Sequence, residues 1–254
     1  MQALILAAGK GSRLGSLTEN KPKCMIDIAG KSIIDRTVES LINNNINRII
    51  IVIGYLGSVL SEYLVNMYPN VDFVFIDESK LISEQHNNIY SFLVAKDKLV
   101  KDDTLVIESD ILFKPELITD LVDNIIPNQA VISYFEDYMN GSCVALDKNN
   151  HITTLVNISK YEKTNLYKTV NIYKFSKDFL ADTYIPYCET YMNTFGLDCY
   201  YEEPLDTLVK NSNLVGYVIN SKDWFEVDTQ EDFDIANILF ANPEDKYNKL
   251  VSWY

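Results

Sequence analysis

The chain has 254 residues, of which 47% are apolar, and its formal net charge at neutral pH is −14. This size and composition suffice for a substantial hydrophobic core. The acidity argues against a nucleic-acid surface, because phosphate backbones are bound by clustered lysines and arginines. No apolar run approaches the roughly 18 residues of a membrane span, and no basic leader with a cleavage site precedes the first apolar run, so we expect a cytoplasmic protein without a membrane partner.

The first half of the chain alternates short apolar runs with amphipathic stretches. Buried strands are predicted for "ALILAAG", "RIIIVIGY", "VDFVFID" and "TLVIESDILF", which are rich in Val, Ile and Phe. The stretches between them, among them "SIIDRTVESLINNN" and "NNIYSFLVAKDKLV", carry apolar residues at helical spacing. This alternation predicts an α/β protein with a mixed, mostly parallel central sheet flanked by helices and a ligand site at the carboxyl ends of the strands.

The second half of the chain changes character. The runs "AVISYFED", "GSCVALDKNNHITTLV", "KTVNIYKFS" and "LVGYVINSKDWFEVD" predict strands joined by Asn- and Lys-rich turns, and hence a small β-rich lobe. "KDFLADTYIPYCETYM" predicts a helix interrupted by Pro186, and "TQEDFDIANILFA" predicts a closing helix capped by Thr229 and Asp232. Because no repeat or linker is visible, we expect a single domain over residues 1–254.

The segment "AAGKGSR", residues 7–13, follows the first predicted strand directly. Glycines at this point let the backbone approach a phosphate, and consecutive N–H groups then form an anion-binding concavity. Arg13 adds a cation, and Lys21 and Lys23 follow on either side of Pro22. The spacing is not that of a P-loop, and two glycines alone are a weak dinucleotide signal. The segment therefore predicts local phosphate binding within an otherwise acidic chain.

Three carboxylates of the sequence could bind a cation that neutralises phosphate charge. Asp110 comes just past an apolar strand in "VIESDILF", and "WFEVDTQEDF" offers Glu226 and Asp228. The latter two are two residues apart, so on an extended chain they point to the same face. Because Mg2+ prefers one or two carboxylates together with phosphate oxygens, these acids are candidate Mg2+ ligands.

From Leu6 to Ile34 the chain resembles the nucleotidyltransferase signature LxAGxGxRL…T…PKxLxxxxGxPLI. The segments "NNIYS", "ESD" and "EVDTQEDF" sharpen this to a resemblance to the LicC-type cytidylyltransferases, which implies a Rossmann-like nucleotidyltransferase fold. The resemblance implies that the arginine at 13 holds the β- and γ-phosphates and that Lys23 contacts the α-phosphate. It also implies that Asp110 and Asp228 ligate Mg2+, so that these four residues are the catalytic group.

The same resemblance divides the chain into a nucleotide-binding half, residues 1–125, and a half that binds the acceptor and carries the closing helix, residues 126–254. It implies nucleotide contacts from Leu6, Ala7, Ala8, Gly9, Gly11, Gln85, Asn87, Asn88 and Ser109. Acceptor contacts are expected from Lys168, Glu226 and Tyr200. An aromatic cage for a quaternary ammonium is not expected, because "YFEDYMNGSCVALDKNN" has no tryptophan. Other tyrosines, such as Tyr184 and Tyr201, remain open between acceptor binding and packing.

The resemblance implies transfer of CMP from CTP to a small phosphorylated amino compound, with release of pyrophosphate, for capsule or surface-polysaccharide modification. L-glutamine phosphate is the favoured acceptor, and phosphocholine and 2-aminoethylphosphonate are the other candidates. A sugar-1-phosphate nucleotidyltransferase that makes an NDP-sugar stays open, as does an inactive relative that only binds nucleotide. A dinucleotide-dependent oxidoreductase is disfavoured, because "RIIIVIGYLGS" lacks the acidic residue expected at the end of the second strand.

Overall fold

A computed structural model of the chain describes residues 1–80, 86–137, 139–157, 166–210 and 212–241. In the first half, the strands are β1 (Gln2–Ala7), β2 (Asp27–Ile28), β3 (Lys31–Ser32), β4 (Arg48–Ile53), β5 (Asp72–Asp77), β6 (Thr104–Glu108) and β7 (Ile111–Phe113). The helices of this half are α1 (Ile33–Asn43), α2 (Gly57–Met67), α3 (Asn88–Leu93), α4 (Lys96–Leu99) and α5 (Glu116–Asp123). Short 3-10 helices occupy Ser12–Thr18, Lys23–Met25 and Glu78–Lys80.

The second half contributes the strands β8 (Gln129–Tyr134), β9 (Ser142–Leu146), β10 (Ile152–Asn157), β11 (Tyr167–Phe175), β12 (Val215–Ile219) and β13 (Trp224–Glu226). Its helices are α6 (Lys177–Phe179), α7 (Ile185–Phe195), α8 (Glu203–Leu208) and α9 (Gln230–Ala241), with a 3-10 turn at Ser221–Asp223. A π-helical turn, Leu180–Tyr184, joins α6 to α7. The α-helical pattern is therefore interrupted as expected, by a π-helical turn that ends just before Pro186; the proline itself lies in the first turn of α7, where its missing N–H is tolerated.

In the described ranges, nine strands form one mixed sheet in the order β10-β9-β11-β6-β1-β4-β5, with β8 paired to β11 and β12. The strands β6, β1, β4 and β5 are parallel, whereas β11 runs antiparallel to β6. This mixed sheet with flanking helices confirms the predicted α/β class. The strands predicted for the β-rich lobe, β8 to β12, extend the same sheet. No helix of the described part is long and apolar enough to cross a membrane.

Both faces of the parallel strands β6, β1 and β4 are buried, whereas the edge strand β5 is only partly buried. In β1, Leu4 and Leu6 pack into the core on one side of the sheet, while Ala3 and Ile5 pack into the core on the other side. This double burial explains why "ALILA" reads as a continuous apolar run rather than as an alternating one. Helices cover the sheet on both sides as a result, and polar side chains concentrate at the ends of the strands.

The register of the sheet brings distant segments to one edge. Leu6 of β1 lies opposite Glu108 of β6, so the loop after β1 and the loop after β6 leave the sheet side by side. A second, two-stranded sheet pairs β7 with β13 antiparallel. The backbone N–H of Val227 also donates a hydrogen bond to the carbonyl of Asp110 (3.1 Å). These pairings carry the late acidic segment to the carboxyl end of the central sheet.

Candidate active site

Lys23 is the centre of the polar cluster at this edge. It opens a 3-10 turn after Pro22, and the residue is only 9% exposed. Its Nζ donates hydrogen bonds to Asp110 Oδ2 and Asp228 Oδ1, each at 2.6 Å. Burial alone would lower the pKa of Lys23, but the two carboxylates outweigh it and raise the pKa above its usual value. Lys23 therefore stays a cation between two residues that the sequence predicted to share its site.

The glycine-rich loop is shaped around this lysine. Gly11 has φ +64°, in the left-handed region, and a Cβ at this position would lie 3.0 Å from the Cβ of Lys23. A larger residue would therefore be strained and would crowd the lysine. The 3-10 helix that follows presents Arg13, whose guanidinium contacts Asp228 Oδ1 at 2.9 Å and whose side chain is otherwise largely exposed. The buried ammonium of Lys23 and the exposed guanidinium of Arg13 therefore contact the same carboxylate, Asp228.

Three carboxylates gather at the same point. Asp110, Glu226 and Asp228 each offer an oxygen, and these oxygens lie within 4.8 Å of one another. The second oxygen of Asp110, Oδ1, is buried and has no hydrogen-bond partner in the described chain. An oxygen-only donor set with an unsatisfied buried carboxylate oxygen fits Mg2+, which takes few protein ligands and completes its shell with water and phosphate oxygens. Asp110 and Asp228 are therefore well suited to hold the ion.

A cavity of about 510 Å³ opens on one side of Lys23. We call it the nucleotide-side cavity; its lining includes the predicted residues Leu6, Ala8, Gly9, Gly11, Asn87, Asn88 and Ser109, together with Arg13, Lys23, Asp110 and Asp228. Ala7 is buried in β1 beside it and is not part of the lining. Gln85 lies outside the described residues. Asn87 accepts a hydrogen bond from the N–H of Asn88 (2.9 Å) as the N-cap of α3, so capping and cavity lining coincide here.

Sequence reasoning missed Glu108 in this cavity. The carboxylate accepts hydrogen bonds from Asn88 Nδ2 (3.1 Å) and Asn171 Nδ2 (3.4 Å). Burial, together with the nearby carboxylates of Asp110, Glu202 and Glu226, raises its pKa well above the usual value. The signal was available, because Glu108 precedes Asp110 by two residues at the end of an apolar strand.

A smaller cavity, of about 280 Å³, adjoins the nucleotide-side cavity at Arg13 and Asp228. We call it the acceptor-side cavity; Lys168, Trp224, Glu226 and Met139 are among its lining residues. Lys168 is buried, donates a hydrogen bond to the carbonyl of Thr169 (2.7 Å), and lies 5.7 Å from the centre of the Trp224 ring. Burial, with the carboxylates of Asp110 and Asp228, raises the pKa of Glu226 to about 7, against the opposing effect of Lys168. The cavity therefore combines a buried cation, carboxylates and an apolar wall.

Two features of the acceptor side differ from expectation. Tyr200, predicted to contact the acceptor, is half exposed and lines the nucleotide-side cavity instead. Trp224 supplies an aromatic wall from outside residues 134–150, the segment in which a tryptophan would have indicated one. Its position was nevertheless readable, since it precedes Glu226 by two residues on an extended strand and so shares its face. Tyr184 and Tyr201 are fully buried in the core and are packing residues.

Comparison with known proteins finds one matching family model and several similar proteins. A family model described as "Nucleotidyl transferase" matches residues 2–233. The chain is 33% identical over 177 residues to "Bifunctional protein GlmU" of Methanococcus maripaludis, covering 68% of this chain but only 40% of that protein. It is 29% identical over 261 residues to "CTP:phosphoglutamine cytidylyltransferase" of Campylobacter jejuni, covering 92% of this chain and 98% of that protein. Among solved structures, CTP:phosphocholine cytidylyltransferase (LicC) of Streptococcus pneumoniae superposes with a TM-score of 0.78 at 23% identity, covering 94% and 98% of the two chains.

Proposed function

The chain belongs to the nucleotidyl transferase family, and from that premise we propose that it transfers CMP from CTP to a small phosphorylated amino compound and releases pyrophosphate. The observation that carries the proposal is the meeting of the two cavities, which share Arg13 and Asp228. A nucleotide in one and an acceptor in the other would bring their phosphates together beside Lys23. The similarity to the Campylobacter protein over nearly its whole length supports CTP as donor and L-glutamine phosphate as the favoured acceptor.

In this proposal a phosphate oxygen of the acceptor attacks the α-phosphorus of CTP. The bond from the α-phosphorus to the bridging oxygen of the β-phosphate breaks, and its electron pair leaves with pyrophosphate. A terminal phosphoryl or phosphonate group with a second pKa near roughly 6 is already largely ionised at neutral pH, so no general base is required. Catalysis then depends on positioning and on neutralising negative charge.

The residues of the cluster have distinct tasks in this scheme. Lys23 contacts the α-phosphate, where its ammonium stabilises the charge that develops during transfer. Arg13, whose side chain is largely exposed, holds the β- and γ-phosphates. Asp110 and Asp228 would hold Mg2+, which when bound neutralises phosphate charge and orients the reacting oxygens. Both carboxylates now contact Lys23, so they also keep the ammonium group at the junction of the two cavities.

The acceptor-side cavity suits a zwitterion better than a sugar phosphate. Lys168 supplies a buried cation for the acceptor phosphate, and Glu226 supplies a carboxylate for an amino group. Trp224 and Met139 offer an apolar wall that suits the methylene groups between them. In this division of labour, residues 1–125 form the nucleotide-binding half and residues 126–254 the acceptor half with its closing helix. An acceptor of this kind fits the modification of capsule or other surface polysaccharide.

Pyrophosphate release tests the proposal. The protein is incubated with Mg2+ and each of CTP, UTP, ATP and GTP, against L-glutamine phosphate, phosphocholine, 2-aminoethylphosphonate and a panel of sugar 1-phosphates. Release with CTP and one amino-bearing acceptor is the expected result. Release only with a sugar 1-phosphate would move the chain to the NDP-sugar enzymes, and binding of CTP without release from any acceptor would favour a nucleotide-binding relative.

A further inference from the structure

Glu108 has no task in the reaction scheme, although it faces the nucleotide-side cavity. It is the last residue of β6 and lies opposite Leu6 of β1, the strand that leads into the glycine-rich loop. It lines the nucleotide-side cavity and is not part of the acceptor-side lining. A carboxylate in a cavity meant for a triphosphate repels the ligand unless it meets a part that donates hydrogen bonds.

The carboxylate is held in place by two separate elements. Asn88, at the start of α3, donates to Glu108 Oε1, while its own Oδ1 accepts the backbone N–H of Tyr201 (2.9 Å). Asn171 donates to Glu108 Oε2, and its Oδ1 accepts the hydroxyl of Thr169 (3.1 Å). Each carboxylate oxygen has two lone pairs and uses one of them, so each can accept a further hydrogen bond.

Asn171 adopts an unusual backbone conformation to make this contact. Its φ is +58° in the middle of β11, where the pairing with β8 shifts register between Thr169 and Tyr173. Non-glycine residues rarely take this conformation, and asparagine is among those that tolerate it best. The resulting bulge turns the Asn171 amide toward Glu108, as bulges beside active sites commonly re-aim a side chain.

Distance identifies the part of the nucleotide that reaches Glu108. Asp110 is two residues away, so the two Cα atoms are at most about 7 Å apart. In the proposed function the α-phosphate lies at Asp110 and Lys23, and the ribose is bonded to that phosphate through a single oxygen. The sugar therefore lies next to Glu108, and its 2′- and 3′-hydroxyls are donors that the two free lone pairs can accept.

We propose that Glu108, fixed by the amides of Asn88 and Asn171, accepts hydrogen bonds from the ribose hydroxyls and selects ribonucleotides over deoxyribonucleotides. This inference rests on the proposed function for the position of the α-phosphate. It deepens that function by naming the sugar that the donor must carry. Asn88 is then a positioning residue that acts on the nucleotide through Glu108.

Calorimetric binding to the full chain tests this selection in the presence of Mg2+ and without an acceptor, so that no turnover occurs. The ligands are CTP, 2′-deoxy-CTP and 3′-deoxy-CTP. Wild type is expected to bind CTP about 10-fold more tightly than at least one deoxy analogue, which is the effect of one or two buried hydrogen bonds. In Glu108→Ala that preference should fall to near one, through weaker binding of CTP. Glu108→Gln keeps one acceptor oxygen and should retain part of the preference.

Glu202→Gln is the matched control, because Glu202 is a buried carboxylate near Glu108 that hydrogen-bonds Tyr173 and does not line the cavity. It should keep the wild-type preference. Equal affinity of wild type for all three nucleotides, a full preference in Glu108→Ala, or an equal loss in Glu202→Gln would each overturn the assignment. UTP, ATP and GTP are titrated in parallel. If one of these binds in place of CTP, the choice of CTP fails, and the ribose preference is then decided with that nucleotide and its deoxy forms.

Discussion

The two cavities meet at Arg13 and Asp228, beside Lys23, and they draw on the chain in different ways. Most of the nucleotide-side lining comes from three short segments, the loop after β1, the start of α3 and the end of β6, and each segment contributes neighbouring residues. Most of the acceptor-side lining instead comes from one segment, residues 224–232, and Met139 and Lys168 are added from other elements. The contiguous segments of both cavities leave motifs in the sequence, whereas Met139 and Lys168 stand alone and leave none.

The two cavities also differ in the chemistry of their walls. The nucleotide side offers glycine backbone, amide side chains and the exposed Arg13, which suit a flexible polyanion. The acceptor side is smaller and pairs a buried lysine with an aromatic wall, which suits one compact ligand. This difference predicts that substitutions on each side act on the kinetics of only one substrate, while substitutions at the junction act on turnover itself.

The largest effect is expected at the junction carboxylates. Asp110→Asn and Asp228→Asn each remove a charge from the proposed Mg2+ site, whose electrostatic contribution is several kcal/mol. We therefore expect turnover to fall about a thousandfold or more in either variant, measured as pyrophosphate release over a range of Mg2+ concentrations. Asp72→Asn, which alters an exposed ion pair with Arg48 (2.6 Å), is the control and should retain activity. Near-wild-type rates in both junction variants would remove the metal assignment.

The second-largest effect is expected for Lys23→Ala. Loss of a preorganised donor to the transition state typically lowers kcat by about 100- to 1000-fold, and we expect this range here with smaller changes in KM. Lys21→Ala provides a matched control, because Lys21 lies on the other side of Pro22 in the same motif but is exposed. An effect of Lys23→Ala confined to the KM for CTP would make Lys23 a ground-state binding residue.

Lys168 isolates the acceptor side. Lys168→Met should raise the KM for the acceptor about 10- to 100-fold, the effect of a lost charge-assisted hydrogen bond, and leave the KM for CTP unchanged. Lys174→Met is the control on the same strand, since Lys174 is buried and donates to the carbonyls of Leu121 and Asn124 at the end of α5. That control should lower the melting temperature without changing the KM for the acceptor more than the KM for CTP. Equal changes in both KM values for Lys168→Met would refute an acceptor role.

The fold was more predictable than the site, and the reason is physical. The strands β1, β4 and β6 are short apolar runs because both of their faces are buried, so composition alone indicates them. Whether a strand joins an existing sheet depends on pairings between distant residues, which local pattern does not encode. The strands β8 to β12 were accordingly recognised as strands and assigned to a separate lobe, whereas they extend the central sheet.

The same limit applies within the site. Lys23, Asp110 and Asp228 could be placed together because a motif and strand ends both indicated them. The contact of Asn171 with Glu108 depends on a bulge in the middle of β11, and no local signal in "KTVNIYKF" indicates a residue with positive φ there. Trp224 shares a face with Glu226, but that became informative only once β13 was seen to pair with β7 beside Asp110.

Tyr200 provides the smallest and most direct test of the boundary between the cavities. Sequence reasoning gave it to the acceptor, yet it lines the nucleotide-side cavity and is 49% exposed. Because an aromatic contact contributes on the order of 1 kcal/mol, Tyr200→Ala should raise the KM for CTP by about 2- to 10-fold and leave the KM for the acceptor unchanged. Tyr200→Phe keeps the ring and should stay close to wild type. A rise in the acceptor KM alone would assign Tyr200 to the acceptor and would show that its ring contacts the acceptor once substrates are bound.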